Sequence, residues 1–216
     1  MKTSLQKTTS RPEKGGRIGL FIVFEGIDGS GKSTQAELLA EKLRRRGMDV
    51  VRLSEPTRGK WGEKIRELSK SSDSLSPREE LDLFIKDRRE DVRKNIRPAL
   101  EAGRVVILDR YFYSTLAYQG ARGISLEEIR QKHRKFVILP DVVFILDVPV
   151  STGLRRIKDR PVIYHLFEEK EYLKKVREIF LSLPDPECLI IDGRLPAEAI
   201  HRKIWSILCR KFPELK

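Results

Sequence analysis

The feature that most constrains the fold is a glycine-rich turn between a short apolar run and a helical pattern. Residues 22–25 (Ile-Val-Phe-Glu) lead directly into residues 26–33 (Gly-Ile-Asp-Gly-Ser-Gly-Lys-Ser), which have the spacing G-x-x-x-x-G-K-[ST]. Glycines let the backbone curl so that successive N–H groups point at phosphate oxygens, and the following helix adds the positive end of its dipole. Because a strand precedes the turn and a helix, Thr34 to Arg46, follows it, the sequence predicts a phosphate-binding loop.

The residues of this loop have distinct predicted roles. Lys32 reaches the β- and γ-phosphates of a bound nucleotide, and the hydroxyl of Ser33 ligates Mg²⁺. Motors, GTPases and small-molecule kinases share such a loop, but the sequence has no N-K-x-D guanine-reading element, which argues against a GTPase. The base of the nucleotide stays open at this point, and Mg²⁺ is the expected cofactor. The predicted phosphate-binding residues are Gly26, Ile27, Asp28, Gly29, Ser30, Gly31, Lys32, Ser33 and Thr34.

Five short apolar runs alternate with longer helical patterns along the chain. The runs are Gly19–Glu25, Asp49–Leu53, Arg104–Asp109, Asp141–Asp147 and Cys188–Asp192. Near-continuous apolar runs favour strands that are buried on both faces, and their alternation with helices favours right-handed βαβ crossovers. The sequence therefore predicts an α/β protein with the P-loop NTPase fold, in which helices flank both faces of a five-stranded parallel sheet.

The length of the chain, 216 residues, fits one α/β domain. Residues 1–17 are polar and contain no apolar block, so we expect a disordered leader rather than a secretory signal, followed by a single domain over residues 18–216. No apolar run approaches the roughly 20 residues needed to cross a bilayer. The two cysteines, Cys188 and Cys209, lack the spacing of a metal site. We therefore expect a soluble cytoplasmic protein with free thiols and no membrane partner.

The formal net charge of +12 raises the question of nucleic-acid binding. Basic residues are spread along the whole chain, often beside acidic ones, and no basic stripe interleaved with aromatic residues is present to stack the bases of a polymer. An enzyme that binds several phosphates accounts for the charge without a polymer. We therefore expect no nucleic-acid partner; a basic regulatory ATPase that acts on nucleic acid is the alternative from another class.

A second candidate site lies on the helical pattern over residues 77–102. Its apolar stripe, at spacings of three and four residues, consists of Leu81, Phe84, Ile85, Val92 and Ile96, and Arg88 falls on the same stripe. An arginine that points inward costs several kcal/mol unless it meets an anion or good acceptors. Arg88 either forms a structural ion pair with a nearby acid, or it donates to a planar heterocycle that stacks on Phe84.

A third candidate site follows the third apolar run, where Asp109, Arg110 and Tyr111 are consecutive. Ligands of open parallel sheets bind beyond the carboxyl ends of the strands, so this triplet should lie beside the phosphate-binding loop. Arg110 can clamp a phosphate with two hydrogen bonds, and Asp109 can hold Mg²⁺ or its waters, or orient the attacking oxygen. A salt bridge between Asp109 and Arg110 is the alternative.

Four segments resemble the motifs of the thymidylate kinase family, in the same order. They are Phe24–Gln35, Glu55–Thr57, Phe84–Arg88, and Asp109–Tyr111 continued by Ser114–Gly120. The resemblance extends over roughly residues 18–212. It implies transfer of the γ-phosphate of ATP to dTMP with Mg²⁺, and assembly as a homodimer. A P-loop kinase that acts on another nucleotide or small metabolite is the alternative.

The resemblance also implies roles for the matching residues. Asp28 approaches the sugar 3′-hydroxyl and the reacting phosphates, and Arg110 holds the acceptor phosphate. Phe84 stacks on thymine, Arg88 donates to its carbonyl edge, and Tyr118 crowds the ribose 2′ position. The implied dTMP-binding residues are Asp28, Glu55, Phe84, Arg88, Arg110, Ser114, Thr115, Tyr118 and Gln119. The candidate catalytic residues are Lys32, Asp28, Asp109, Arg110, Arg156 and Arg160, and the candidate metal ligands are Ser33 and Asp109.

Two positions depart from the family pattern. Some thymidylate kinases carry an arginine at the position of Gly29, and others supply that charge from a mobile lid; the candidate lid here is residues 155–165. A closing arginine is worth ~10³–10⁵ in rate, and we expect this role for Arg156 and Arg160, four residues apart on a helix, unless they lie on a solvated helix end. Ser54 stands where many relatives have arginine, and Arg52 or Arg58 is its candidate replacement.

Overall fold

The sheet of the protein contains five parallel strands. The computed structural model describes residues 19–69, 75–157 and 170–215, so the predicted leader lies outside the described residues. The strands are β1 (Phe21–Glu25), β2 (Val50–Ser54), β3 (Val105–Asp109), β4 (Val142–Asp147) and β5 (Cys188–Asp192). Their order is β2-β3-β1-β4-β5, and all four neighbouring pairs are parallel. The five predicted strands are therefore confirmed.

The described helices agree with the sequence pattern except within residues 77–102. They are α1 (Lys32–Arg44), α2 (Lys60–Leu68), α3 (Pro77–Asp91), α4 (Arg97–Glu101), α5 (Phe112–Ala121), α6 (Leu126–Arg134), α7 (Val150–Ile157), α8 (Lys170–Ser182) and α9 (Ala197–Lys211). The helix predicted over residues 77–102 is confirmed with one irregularity, because a π-helical turn, Val92–Ile96, joins α3 to α4. Pro98 provides the physical reason, since its ring would clash with the carbonyl group of Lys94 in a regular helix. The N–H of Arg97 instead reaches back to the carbonyl oxygen of Val92.

Helices cover both faces of the sheet, as predicted. Alternate residues of β1 point to opposite faces: Phe21 and Val23 belong to a core with residues of α3, α5, α6 and α8, whereas Ile22 and Phe24 belong to a core with α1 and α9. Every residue of β1 is buried. This packing explains why the sequences of β1, β3 and β4 are near-continuous apolar runs rather than alternating ones.

The carboxyl ends of β1, β2 and β3 bring three chain segments to one edge of the sheet. The N–H of Arg110 donates to the carbonyl oxygen of Phe24 at 3.0 Å, and the N–H of Glu55 donates to that of Asp109 at 3.0 Å. The loop after β1, the start of the β2–α2 connection and the residues after β3 are thereby held side by side. None of the described helices is long and apolar enough to span a membrane.

Candidate active site

The loop between β1 and α1 has the backbone that the glycine pattern predicts. Gly26, Gly29 and Gly31 have φ angles of 134°, 76° and 101°, which residues with a Cβ adopt rarely. At Gly29 a Cβ would lie 2.2 Å from the carbonyl oxygen of Gly153 in α7. An arginine at position 29 therefore has no room unless the loop and α7 move apart.

Lys32 lies at the start of α1 with its ammonium group turned back into the loop. Its Nζ donates to the carbonyl oxygen of Ile27 at 2.9 Å, which uses one of three donor hydrogens. Burial and the charge of Arg110 lower the pKa of Lys32 to about 8, against the opposing charges of Asp28, Asp109 and Glu25. An anion bound in the loop would meet the remaining donors.

Ser33 and Asp109 together provide oxygen ligands suited to a hard cation. The hydroxyl of Ser33 donates to Oδ2 of Asp109 at 2.5 Å. The other carboxylate oxygen of Asp109, Oδ1, is buried and has no hydrogen-bond partner among the described residues. Mg²⁺ prefers carboxylate and hydroxyl oxygens, so these two residues fit the predicted metal site.

Arg110 follows β3 in a left-handed conformation with a φ of 69°, which is uncommon for a residue other than glycine. Its Nη2 pairs with Oδ1 of Asp28 at 2.6 Å, and its Nη1 donates to the hydroxyl of Ser114 at 3.1 Å. Arg110 therefore forms its salt bridge with Asp28 and not with Asp109, which was the alternative. Burial raises the pKa of Asp28, but the charges of Arg110 and Lys32 outweigh burial and lower it below its usual value.

Glu25, which the sequence analysis did not single out, anchors this corner of the site. Its buried carboxylate accepts from the N–H of Tyr111 at 2.8 Å, the N–H of Ser114 at 3.1 Å and the hydroxyl of Ser114 at 2.6 Å. Burial raises the pKa of Glu25. The carboxylate ties the start of α5 to the end of β1, and an acid at the end of a fully apolar strand was the only sequence signal for it.

Arg88 is buried in a dense network of acceptors. Its Nε donates to Oε2 of Glu55 at 2.7 Å, and its Nη2 lies 2.7 Å from the same oxygen. Its Nη1 donates to Oγ1 of Thr115 at 2.8 Å and lies 2.7 Å from Nε2 of His133. Burial raises the pKa of Glu55, whereas the positive charge of Arg88 opposes that rise. The ion pair, one of the two alternatives for Arg88, therefore forms, and the arginine also lines a cavity with Phe84.

His133 is the second residue that the sequence analysis missed. Its Nδ1 lies 2.8 Å from the carbonyl oxygen of Ile129, so Nδ1 carries the hydrogen and Nε2 accepts from Arg88. Burial and the charge of Arg88 lower the pKa of His133 to about 3. The ring is therefore neutral at ordinary pH and acts as an acceptor.

The structure brings all nine residues predicted for dTMP together around one cavity, the acceptor cavity, with Pro56 in addition. Its lining residues are Asp28, Glu55, Pro56, Phe84, Arg88, Arg110, Ser114, Thr115, Tyr118 and Gln119. Tyr118 also packs in the core. Its hydroxyl lies 3.4 Å from Nη2 of Arg110.

A larger cleft of about 600 Å³, the donor cleft, lies beside the acceptor cavity. Residues 28–34 of the phosphate-binding loop line it, whereas Gly26 and Ile27 do not. The donor cleft also contains Asp109, Ser54 and residues 193–197, a segment after β5 that the sequence analysis did not single out. Its volume is typical of a small-molecule site.

Arg156, from the predicted lid, lines the donor cleft at the junction of α7 with the loop. Its Nη1 donates to the carbonyl oxygens of Gly29 at 3.2 Å and Gly193 at 3.0 Å. Arg160 lies outside the described residues, as do residues 158–165 of the predicted lid. Arg52, a candidate replacement for an arginine at Ser54, pairs with Glu37 at 3.2 Å instead.

Comparisons with known proteins agree with this geometry. The family model described as thymidylate kinase matches residues 24–204 of the chain. The chain belongs to the thymidylate kinase family. It is 46% identical over 187 residues to a thymidylate kinase of Desulfotalea psychrophila, and this alignment covers 86% of this chain and 92% of that protein. It is 41% identical over 197 residues to a probable thymidylate kinase of Archaeoglobus fulgidus, covering 91% and 98%.

A solved structure supports the same assignment. The crystal structure of thymidylate kinase from Ehrlichia chaffeensis superposes with a TM-score of 0.73 at 32% sequence identity, covering 88% of this chain and 98% of that chain. The resemblance to the thymidylate kinase family and the predicted P-loop NTPase fold are thereby confirmed. The chain is a nucleoside-monophosphate kinase, as the sequence predicts.

Proposed function

We propose that this chain transfers the γ-phosphate of ATP directly to dTMP, giving ADP and dTDP. The observation that carries the proposal is the junction of the two cavities, since Asp28, Glu55 and Arg110 line both of them. A triphosphate in the donor cleft and a monophosphate in the acceptor cavity would meet at this junction. Membership of the thymidylate kinase family supports the choice of ATP and dTMP.

On the donor side, backbone N–H groups of residues 28–34 and the ammonium group of Lys32 bind the ATP phosphates. The N-terminus of α1 adds its dipole. We assign Ser33 and Asp109 as the ligands of Mg²⁺, because Oδ1 of Asp109 is a buried acceptor without a described partner. When bound, Mg²⁺ neutralises charge on the β- and γ-phosphates.

On the acceptor side, Arg110 holds the phosphate of dTMP and Phe84 provides an aromatic surface for thymine. Asp28, which pairs with Arg110 at 2.6 Å, keeps the guanidinium group at the junction and faces the reacting phosphates. Tyr118 fills the space beside C2′ of the sugar, so a ribose hydroxyl meets a side chain rather than water. Together these residues fix the acceptor phosphate in line with the γ-phosphate.

Positioning and charge account for the rate in this mechanism, because phosphoryl transfer requires little covalent chemistry from the protein. Negative charge spreads over the transferred group in the transition state, where cations stabilise it. Lys32 and Arg110, which line the donor cleft, supply two of these cations, and we assign Arg156 as the third. Arg160 lies outside the described residues and keeps this role as a prediction from the sequence. Arg156 contacts the loop at Gly29, which supports its role.

An ADP-release assay with each common nucleoside monophosphate offered in turn tests the proposal. We expect dTMP to give the highest kcat/KM and to stimulate ADP release far above the basal rate. A higher kcat/KM for another monophosphate would reassign the acceptor. Salt-dependent binding of DNA without stimulation by any monophosphate would favour the regulatory ATPase instead.

We also propose that residues 18–216 form one domain and that the protein works as a cytoplasmic homodimer. Family membership supports these proposals. Light scattering after size exclusion should give twice the chain mass of 25.1 kDa. A mass equal to that of one chain would reject the dimer.

A further inference from the structure

Two helices face each other across the acceptor cavity, and their facing residues recur every four positions. On α3 these residues are Glu80, Phe84 and Arg88, and on α5 they are Thr115 and Gln119. Arg88 donates to Thr115 at 2.8 Å, and Nε2 of Gln119 donates to Oε2 of Glu80 at 2.7 Å. Phe84 lies on α3 between these two hydrogen-bonded pairs and lines the cavity. The two pairs therefore bracket the aromatic surface proposed for the base.

The carboxylate of Glu80 is held in place from its other side. Arg122 forms an ion pair with the same Oε2 through Nη1 and donates through Nη2 to the carbonyl oxygen of Leu75 at 3.1 Å. The side chains of Glu80 and Arg122 are only 12% and 19% exposed. Burial raises the pKa of Glu80, whereas the charge of Arg122 and the hydrogen bond from Gln119 oppose that rise. A carboxylate paired with arginine accepts hydrogen bonds and donates none.

We propose that Glu80 is a positioning residue that sets base selection by fixing the amide of Gln119. Because the NH₂ group of Gln119 must face Glu80, its carbonyl oxygen is the amide atom left for the acceptor cavity. A carbonyl oxygen accepts from a ring N–H and repels the lone pair of a ring nitrogen. N3 of thymine and of uracil carries a hydrogen, whereas N3 of cytosine carries a lone pair. The inference rests on the proposed function, since it concerns the base of dTMP.

Arg88 provides a second contact to the same edge of the base, beside the contact from Gln119. Of its five N–H hydrogens, Glu55 accepts one from Nε and one from Nη2, and Nη1 gives one each to Thr115 and His133. No described residue accepts the remaining hydrogen of Nη2, which is therefore left for a ligand and requires an acceptor such as O4 of thymine. A donor from Arg88 beside an acceptor from Gln119 matches O4 and N3–H of thymine. Cytosine, with an amino group at C4 and a bare N3, mismatches at both positions.

Steady-state kinetics with dTMP, dUMP and dCMP test the role of Glu80. In Glu80→Leu the amide of Gln119 loses the acceptor that orients it, and we expect the dTMP:dCMP ratio of kcat/KM to fall about 10- to 100-fold, mainly through a higher KM for dTMP. The dTMP:dUMP ratio should stay unchanged, because both bases present the same O4 and N3–H edge. Glu80→Gln, whose amide can accept or donate, should give a smaller fall.

Asp82→Asn is the matched control, since Asp82 is an exposed carboxylate of α3 that pairs with Lys132 and does not line the cavity. It should keep both wild-type ratios. Folded Glu80 variants that keep the dTMP:dCMP ratio, or that lose activity equally toward all three substrates, would overturn the proposal. If Glu80→Leu does not fold, Glu80→Gln decides by the same criterion. A wild-type enzyme that does not prefer dTMP would instead reject the proposed function.

Discussion

Replacing His133 with leucine should weaken dTMP binding and destabilise the fold, although His133 does not line either cavity. The change removes the acceptor that lies 2.7 Å from Nη1 of Arg88. Arg88 is buried, so no water replaces the lost acceptor. A buried hydrogen bond to a charged group contributes about 1.5–3 kcal/mol, which sets the expected loss in the free energy of unfolding. A guanidinium group that shifts away from the acceptor cavity should raise the KM for dTMP about tenfold, which corresponds to a loss of about 1.4 kcal/mol in binding.

Urea unfolding and steady-state kinetics measure the two effects, and a double-mutant cycle assigns them. In an Arg88→Met background the stability cost of His133→Leu should shrink by about 1–2 kcal/mol, because the charged donor is absent. His133→Gln, whose amide oxygen can accept from Arg88, should lie closer to wild type. Equal costs in both backgrounds, or a His133→Leu variant with wild-type stability and KM, would refute the reasoning.

The same histidine gives the stability a dependence on pH. The pKa of His133 is about 3 in the folded protein and about 6.5 in the unfolded chain. Below pH 6.5 the unfolded chain therefore binds a proton that the folded protein does not. This group's contribution to the free energy of unfolding is complete above pH 6.5 and falls by about 1.4 kcal/mol per pH unit as the pH drops toward 3. His133→Gln should remove this part of the slope.

Three further predictions concern residues that line the two cavities. Lys32→Ala should lower kcat by several orders of magnitude in a folded protein; near-normal turnover would reject the role of the loop. Arg156→Ala should lower kcat far more than it weakens dTMP binding, and an unchanged kcat would show that Arg156 stabilises no transition-state charge. Tyr118→Phe should keep the preference for dTMP over its ribose analogue, whereas Tyr118→Ala should lose about tenfold or more of it; a folded Tyr118→Ala variant with unchanged selectivity would exclude steric rejection of the 2′-hydroxyl.

The sequence predicts the sheet well because its signals are local. Each strand is a short apolar run, and the spacing of glycines, lysine and serine in residues 26–33 determines the loop on its own. The π-helical turn at Val92–Ile96 was missed because the apolar stripe continues through it. Pro98, four residues after Lys94, was the available signal.

The acceptor cavity was predicted residue by residue from family motifs, but the residues that orient its side chains were not. His133 stands between Lys132 and Arg134 in a polar segment, where a solvated helix end is the ordinary interpretation. Glu80 lies in the first turn of α3, where an acid is common because it favours the helix dipole. Their partners, Arg88 and Gln119, are 45 and 39 residues away. Only the packing of α3, α5 and α6 determines these pairs.

The contact between Gly29 and Gly153 relates two features of this chain: the absence of an arginine from the loop and the position of Arg156 in the predicted lid. A Cβ on Gly29 would lie 2.2 Å from the carbonyl oxygen of Gly153, and one on Gly153 would lie 2.5 Å from that of Asp28. The backbones of the loop and α7 therefore touch, and Arg156, one helical turn after Gly153, reaches the carbonyl oxygen of Gly29 at 3.2 Å.

An arginine at position 29 would have to separate these backbones, at a cost of about 1–3 kcal/mol for overpacking and a similar amount for the left-handed φ. The separation would also carry Arg156 away from the loop. In this chain an arginine at position 29 and a cation supplied by Arg156 of α7 are therefore mutually exclusive. Gly29 leaves no room for a side chain in the loop, and the close contact that it allows brings Arg156 to the loop.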